Sequence, residues 1–151
     1  MGRQLHEIVA GFLVLATLTG LPLGIAHYQR ALLTRPDARV IELTGVRWDG
    51  VWTDEPVQGW NYWRHTFRPA TITLREGEEV VLRLMSADVT HSFSAPDLGV
   101  GPVEVEPGHV VEIRLKGIQS GKFPYFCTVF CGDHHFFMRG AIRVVGRDES
   151  R

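Results

Sequence analysis

Near the C-terminus, two thiols, an imidazole and a thioether fall within one short run, Cys127, Cys131, His135 and Met138, at spacings of four, four and three. Any fold this chain adopts must present that run as a loop tight enough for the four donors to converge. Thiolate and thioether are soft ligands that select Cu(I) and similar ions, and imidazole suits copper too. A further donor, His91, stands upstream in Asp88-Val-Thr-His91-Ser-Phe. A single-copper electron-transfer site needs one cysteine, two histidines and a weak axial methionine. The second cysteine exceeds that need, and the five side chains together suffice for two coppers.

Plainer readings leave parts of this set without a role. A disulfide is the ordinary use of two cysteines in an exported protein, but it leaves His91, His135 and Met138 idle. A structural Cys2His2 zinc site has no use for the thioether. Copper accounts for all five. Two thiolates separated by three residues can converge from one loop and each bridge a pair of ions. Shared thiolates spread one electron over both centres, so each bond changes little on redox cycling. That suits electron transfer and leaves no open position for a substrate. His134 competes with its neighbour His135 but reads as a surface residue. His65 and His109 lie outside the motifs, and Met85 falls in a strand pattern that assigns it to the core.

The N-terminus differs from the rest. From Ile8 to Gln29 there is no Asp, Glu, Lys or Arg. As a helix the apolar stretch from Ile8 to Ala26 spans about 28 Å, close to the thickness of a bilayer's hydrocarbon core. Gly24-Ile25-Ala26 resembles a signal-peptidase site, but the length favours a retained anchor, and Pro22 and the glycines are tolerated in membrane helices. Only Arg3 precedes the stretch, whereas Arg30, Arg35 and Arg39 follow it. A count of flanking cations alone places the following domain in the cytoplasm, but long domains are translocated largely regardless of charge. Copper chemistry places it outside. The net charge of -1 gives no basic footprint, so nucleic acid is not an expected partner.

The division read from the sequence is an anchor over residues 1–30, a linker over 31–39, a globular domain over 40–146 and a tail over 147–151. Strand-like segments are expected at residues 40–46, 71–74, 80–85, 103–105, 110–115, 123–127 and 141–145, separated by turns such as Pro107-Gly108. Seven or eight short strands with regular turns predict an all-β Greek-key sandwich. The metal run then lies between the last two strands, with His91 on an earlier loop at the same end.

Cys127-x3-Cys131-x3-His135-x2-Met138, with Asp88-Val-Thr-His91-Ser-Phe before it and Ala95-Pro-Asp-Leu-Gly99-Val and Glu106-Pro-Gly108 between, resembles the copper-A centre of cytochrome c oxidase subunit II. The resemblance covers roughly residues 40–146 and implies a cupredoxin-like sandwich with a single N-terminal transmembrane helix. It implies a binuclear copper site in which Cys127 and Cys131 bridge, His91 and Met138 complete one copper, and His135 and the main-chain carbonyl of Val129 complete the other. It also implies a stretch of aromatic residues where electrons arrive from the donor; Trp48, Trp60, Tyr62 and Trp63 are the candidates.

Two departures from the pattern stand out. Many subunits of this family carry Glu where this chain has Val129, and that carboxylate helps hold a magnesium ion against the catalytic subunit, so magnesium is not expected here. Many also have two membrane helices, whereas this chain has one candidate. The expected role is that of an electron relay: a bacterial or archaeal membrane subunit, single-pass, with its domain on the outer or periplasmic face. It would take electrons from cytochrome c or a small copper protein and deliver them to a haem-copper catalytic subunit. The same relay serving a nitric oxide reductase, or a copper-handling cupredoxin with no catalytic partner, are the alternatives.

Overall fold

The computed structural model describes residues 2–33 and 38–146; residues 34–37 of the linker and the tail at 147–151 lie outside the described residues. The chain divides into an N-terminal unit, Met1–Pro36, and a second unit, Asp37–Arg151. The first contains one helix, α1 (Gly2–Leu33), with Pro22 inside it. Within α1, His6–Tyr28 has a mean hydropathy of 2.1 and is long and apolar enough to cross a membrane. Its apolar side chains point outward all round the helix, Phe12, Leu18 and Leu23 among them. An exposed helix that is apolar on every face needs lipid or protein around it.

The second unit is built from nine strands: β1 (Arg39–Val46), β2 (Val51–Thr53), β3 (Thr71–Arg75), β4 (Glu79–Ser86), β5 (His91–Ala95), β6 (Val100–Val105), β7 (Val111–Lys116), β8 (Gly121–Phe126) and β9 (Arg139–Val145). They form two sheets, ordered β2-β1-β4-β7 and β3-β9-β8-β5-β6. β1 runs parallel to β4 and β3 parallel to β9, while the remaining pairs are antiparallel.

Local sequence explains each choice. β3 alternates, with Ile72 and Leu74 inward and Thr71, Thr73 and Arg75 outward, as a half-buried strand should. β4 lies between β1 and β7, and its run Val80, Val81, Leu82 and Leu84 is buried throughout. Between the sheets, Phe93 stacks on Tyr125 at 5.1 Å, and the buried Tyr125 hydroxyl donates to the Ala70 carbonyl at 2.6 Å.

Two strands depart from the expected pattern. β2 is three residues long and wholly buried, so it offers no alternation to read. His91 is the first residue of β5 rather than part of a loop, and all five residues of that strand are buried. At the other side of the site, β8 stops at Phe126, so Cys127 begins the following loop. That loop approaches the β1–β2 turn, because a Cβ on Gly132 would lie 2.8 Å from the Arg47 side chain. The turn after β4 joins them, since the Ala87 N–H donates to the Gly45 carbonyl at 3.0 Å. Three connections thus meet at one end of the sandwich.

Candidate metal centre

The loop between β8 and β9 is closed by its own backbone. The Cys127 N–H donates to the Met138 carbonyl at 2.9 Å, and the His135 N–H to the Gly132 carbonyl at 3.0 Å. A short 3-10 helix, His135–Phe137, turns the chain back toward β9. The side chains converge as a result. Cys131 Sγ lies 3.9 Å from Cys127 Sγ, 3.6 Å from His135 Nδ1 and 3.7 Å from Met138 Sδ. Cys127 Sγ lies 3.2 Å from the Val129 carbonyl oxygen. Both cysteines are free and buried.

β5 brings the fifth donor from across the sheet. Ligand atoms of His91, Cys127 and Cys131 all lie within 4.8 Å of one another, and all three residues are buried. His91 is 0% exposed. Its Nε2 meets Asp88 Oδ1 at 2.8 Å, while its Nδ1 is buried with no hydrogen-bond partner among the described residues. A carboxylate on one ring nitrogen fixes the tautomer and leaves the other nitrogen's lone pair free for a metal. A buried nitrogen without a partner is costly in a protein interior. Here the ring is buried in one group with two thiols, and that donor set fits copper.

The surroundings are shaped for this ring. β1 passes so close that a Cβ on Gly45 would lie 2.6 Å from His91 Cδ2. Trp52 meets the imidazole edge-on at 5.8 Å. The Ser92 N–H donates to Cys127 Sγ at 3.3 Å. Burial pushes both thiols up, but at Cys127 the adjacent His91 and the Ser92 N–H outweigh it and bring the thiol down to about 6. At Cys131 burial is reinforced by the charge of Cys127, and the thiol rises to about 12. Two buried thiolates this close repel one another, so both ionise together only with a cation between them.

All six expected donors, the Val129 carbonyl included, are thus brought together. The aromatic candidates divide. Trp48 lies beside the metal loop, lining a small cleft with Arg47, Gly132, Asp133 and His134, and the Arg47 guanidinium sits 4.2 Å over its ring. Tyr62 reaches Asp88 at 3.0 Å. Trp60 and Trp63 are 62% and 67% exposed; Trp60 stacks with Arg64, and Trp63 lines a groove with Val57, Gln58 and Met85. Sequence reasoning missed the parts played by Asp88, Gly45, Trp52 and Ser92. Asp88 stands in the motif that was read, three residues before His91, and that spacing was the available signal.

Comparison with known proteins matches this description at two levels. A family model for a cupredoxin-like domain matches residues 54–144. The periplasmic domain of subunit II of cytochrome oxidase from Bradyrhizobium japonicum superimposes with a TM-score of 0.57 at 27% identity, over 78% of this chain and 90% of that one. A heme-copper terminal oxidase dimer gives a TM-score of 0.53 over 93% of this chain and 99% of the matched chain; at 21% identity it bears on the fold alone. The sandwich is therefore cupredoxin-like. Cytochrome c oxidase subunit 2 from Thermus thermophilus is 31% identical over 116 residues, covering 69% of this chain and 84% of that one. The chain belongs to the cytochrome c oxidase subunit II family, whose members are subunits of an oxidoreductase complex. A cupredoxin domain in that family implies copper.

Proposed function

We propose that this chain is the electron-relay subunit of a membrane haem-copper oxidase and that its domain holds a binuclear copper-A centre. Cys127 and Cys131 would bridge the pair, with His91 Nδ1 and Met138 on one side and His135 and the Val129 carbonyl on the other. The observation that carries the reading is His91, whose buried Nδ1 has no hydrogen-bond partner among the described residues and whose ring is buried with two free thiols. When bound, such a pair would supply a one-electron store between a soluble donor, cytochrome c or a small copper protein, and haem in a separate catalytic subunit.

The chain's own residues prepare this. Asp88 orients His91, the Ser92 N–H favours the thiolate of Cys127, and the closed loop keeps Cys131, His135 and Met138 together without ordering on binding. Burial of both thiols excludes water. Trp48, 37% exposed against the metal loop, is the favoured point for electrons to arrive. No carboxylate stands at Val129, so a magnesium ion at the subunit interface is not part of the proposal. The helix α1 would anchor the chain in a bacterial or archaeal membrane, with the domain on the outer face. The proposed division stays an anchor over residues 1–30, a linker over 31–39 and a domain over 40–146, although α1 runs on to Leu33 and β1 begins at Arg39.

The test is copper quantitation and electron paramagnetic resonance on the full chain, copper-loaded and oxidised in detergent. Two coppers per chain, with hyperfine structure from one electron shared over both, is the expected result. One copper with single-ion hyperfine structure would overturn the bridging role of the second cysteine. The chain would then be a copper-handling domain.

A further inference from the structure

We propose that Tyr62 is a positioning residue for the metal centre, acting through Asp88 to set how strongly His91 is held and how electron-rich its free nitrogen is. The inference rests on the copper reading above and extends it beyond the ligands. Each oxygen of the Asp88 carboxylate has two partners. Oδ1 meets His91 Nε2 at 2.8 Å and accepts from the Val89 N–H at 2.7 Å. Oδ2 accepts from the Arg47 N–H at 2.6 Å and from the Tyr62 hydroxyl at 3.0 Å. The Asp88 side chain is 9% exposed, so water does little to share that charge.

Of the four partners, two are backbone groups fixed by the fold and one is the ligand itself. Tyr62 alone is a side chain brought in from another segment, 26 residues away. Its ring is held edge-on by Trp63 at 5.0 Å and packs on the cluster of Val46, Val51 and Phe67. Burial, and then the hydrogen bond and charge of Asp88, push the phenol up to about 12, so it keeps its proton and remains the donor.

The direction of the effect follows from charge sharing. A phenol donating to one oxygen draws density from the carboxylate and weakens its pull on the His91 Nε2–H. Without that donor the carboxylate pulls harder and the imidazole becomes more basic. A more basic imidazole favours the more oxidised metal, so the reduction potential falls. Tyr62→Phe removes only the hydroxyl and keeps the ring in its packing.

The experiment compares the copper-loaded full chain with four variants in detergent, by redox titration alongside copper content and paramagnetic resonance. Tyr62→Phe is expected to retain copper and its spectrum but to shift the oxidation equilibrium about threefold toward the oxidised form. That equals a potential about 28 mV lower, at 59 mV per tenfold for one electron. Arg64→Lys, on the same segment but stacked on Trp60, is expected to leave the potential where it is. In an Asp88→Asn background the Tyr62→Phe shift is expected to vanish, because both groups act on one pathway. An unchanged potential in Tyr62→Phe, an equal shift in Arg64→Lys, or a shift that persists without the Asp88 carboxylate would each overturn the inference while the copper reading stands. A wild-type chain without the shared two-copper spectrum would overturn both.

Discussion

His91 and His135, the two imidazoles of the proposed centre, are held by different kinds of structure. His91 is the first residue of a buried strand, with Asp88 on one nitrogen, Trp52 at its edge and Gly45 beneath it. Every one of those contacts except Asp88 comes from a distant part of the chain. His135 is half-buried and sits on a local 3-10 turn within the metal loop. Its ring neighbours are Phe130 at 5.8 Å and Phe136 at 5.3 Å, both strongly exposed. One ligand is fixed by the packing of the whole sandwich; the other is fixed by the loop that carries the thiols. A centre built this way has a rigid inner side and an outer side with large apolar side chains at the surface, as an interaction surface would have.

The largest effect is expected where the two sides join. Cys131 is within reach of His135, Met138 and Cys127, and it lies in the buried group with His91. Cys131→Ser should abolish the shared-valence spectrum whichever side is intact. Retention of that spectrum would remove Cys131 from the ligand set, and the division into two sides would lose its common member.

Removing each imidazole in turn tests the comparison directly. His91→Ala opens a hole in the interior and leaves Asp88 short of one partner, so the metal-free protein should lose about 2–4 kcal/mol in denaturant unfolding. His135→Ala, half-buried on a local turn, should cost less, about 1 kcal/mol. Both should lose the paired copper signal. Equal stability costs would mean that His91 is not held by the core as its burial implies.

How much of this the sequence disclosed follows the same division. Cys127, Cys131, His135 and Met138 were legible because their convergence is local: a closed loop brings together residues that are already neighbours in the chain. β3 was legible because Thr71 to Arg75 alternates. β5 was not, because His91, Ser92, Phe93, Ser94 and Ala95 are covered on both faces and two serines break any apolar run. Tyr62 was grouped with Trp60 and Trp63 because spacing shows only adjacency. Its hydrogen bond to Asp88 needs the segment after β2 to fold against the turn after β4. Only tertiary structure separates Trp48, beside the metal loop, from Trp60, stacked with Arg64, and Trp63, packed on Tyr62.

A smaller disturbance is expected from the backbone beneath His91. Gly45→Ala places a methyl group at a contact of 2.6 Å with the ring, so either β1 or His91 must shift. Overpacking of this kind costs about 1–3 kcal/mol, measured as a lower midpoint in urea. Copper loading should weaken with it, since the displaced ring is the donor. A variant as stable and as well loaded as the parent would show that the rigid side yields more readily than its packing suggests.

The smallest effect belongs to the opposite end of the sandwich and serves as the control on both sides. Glu78 accepts from the Arg75 N–H at 2.7 Å and from the Arg39 guanidinium at 2.9 Å. Burial alone pushes its carboxyl up, but the Arg75 N–H and the Arg39 guanidinium outweigh it and hold the group below the usual carboxylate range. A carboxyl lowered by folding stabilises the protein above its unfolded pKa, and that contribution is lost as pH falls through the folded value. Glu78→Gln should therefore lower thermal stability near neutral pH by about 1 kcal/mol or less, with the two proteins converging in acid. Copper content and spectrum should not change, because neither imidazole touches this turn. If this variant altered the copper signal as Gly45→Ala is expected to, the rigidity assigned to the His91 side would belong to the sandwich as a whole.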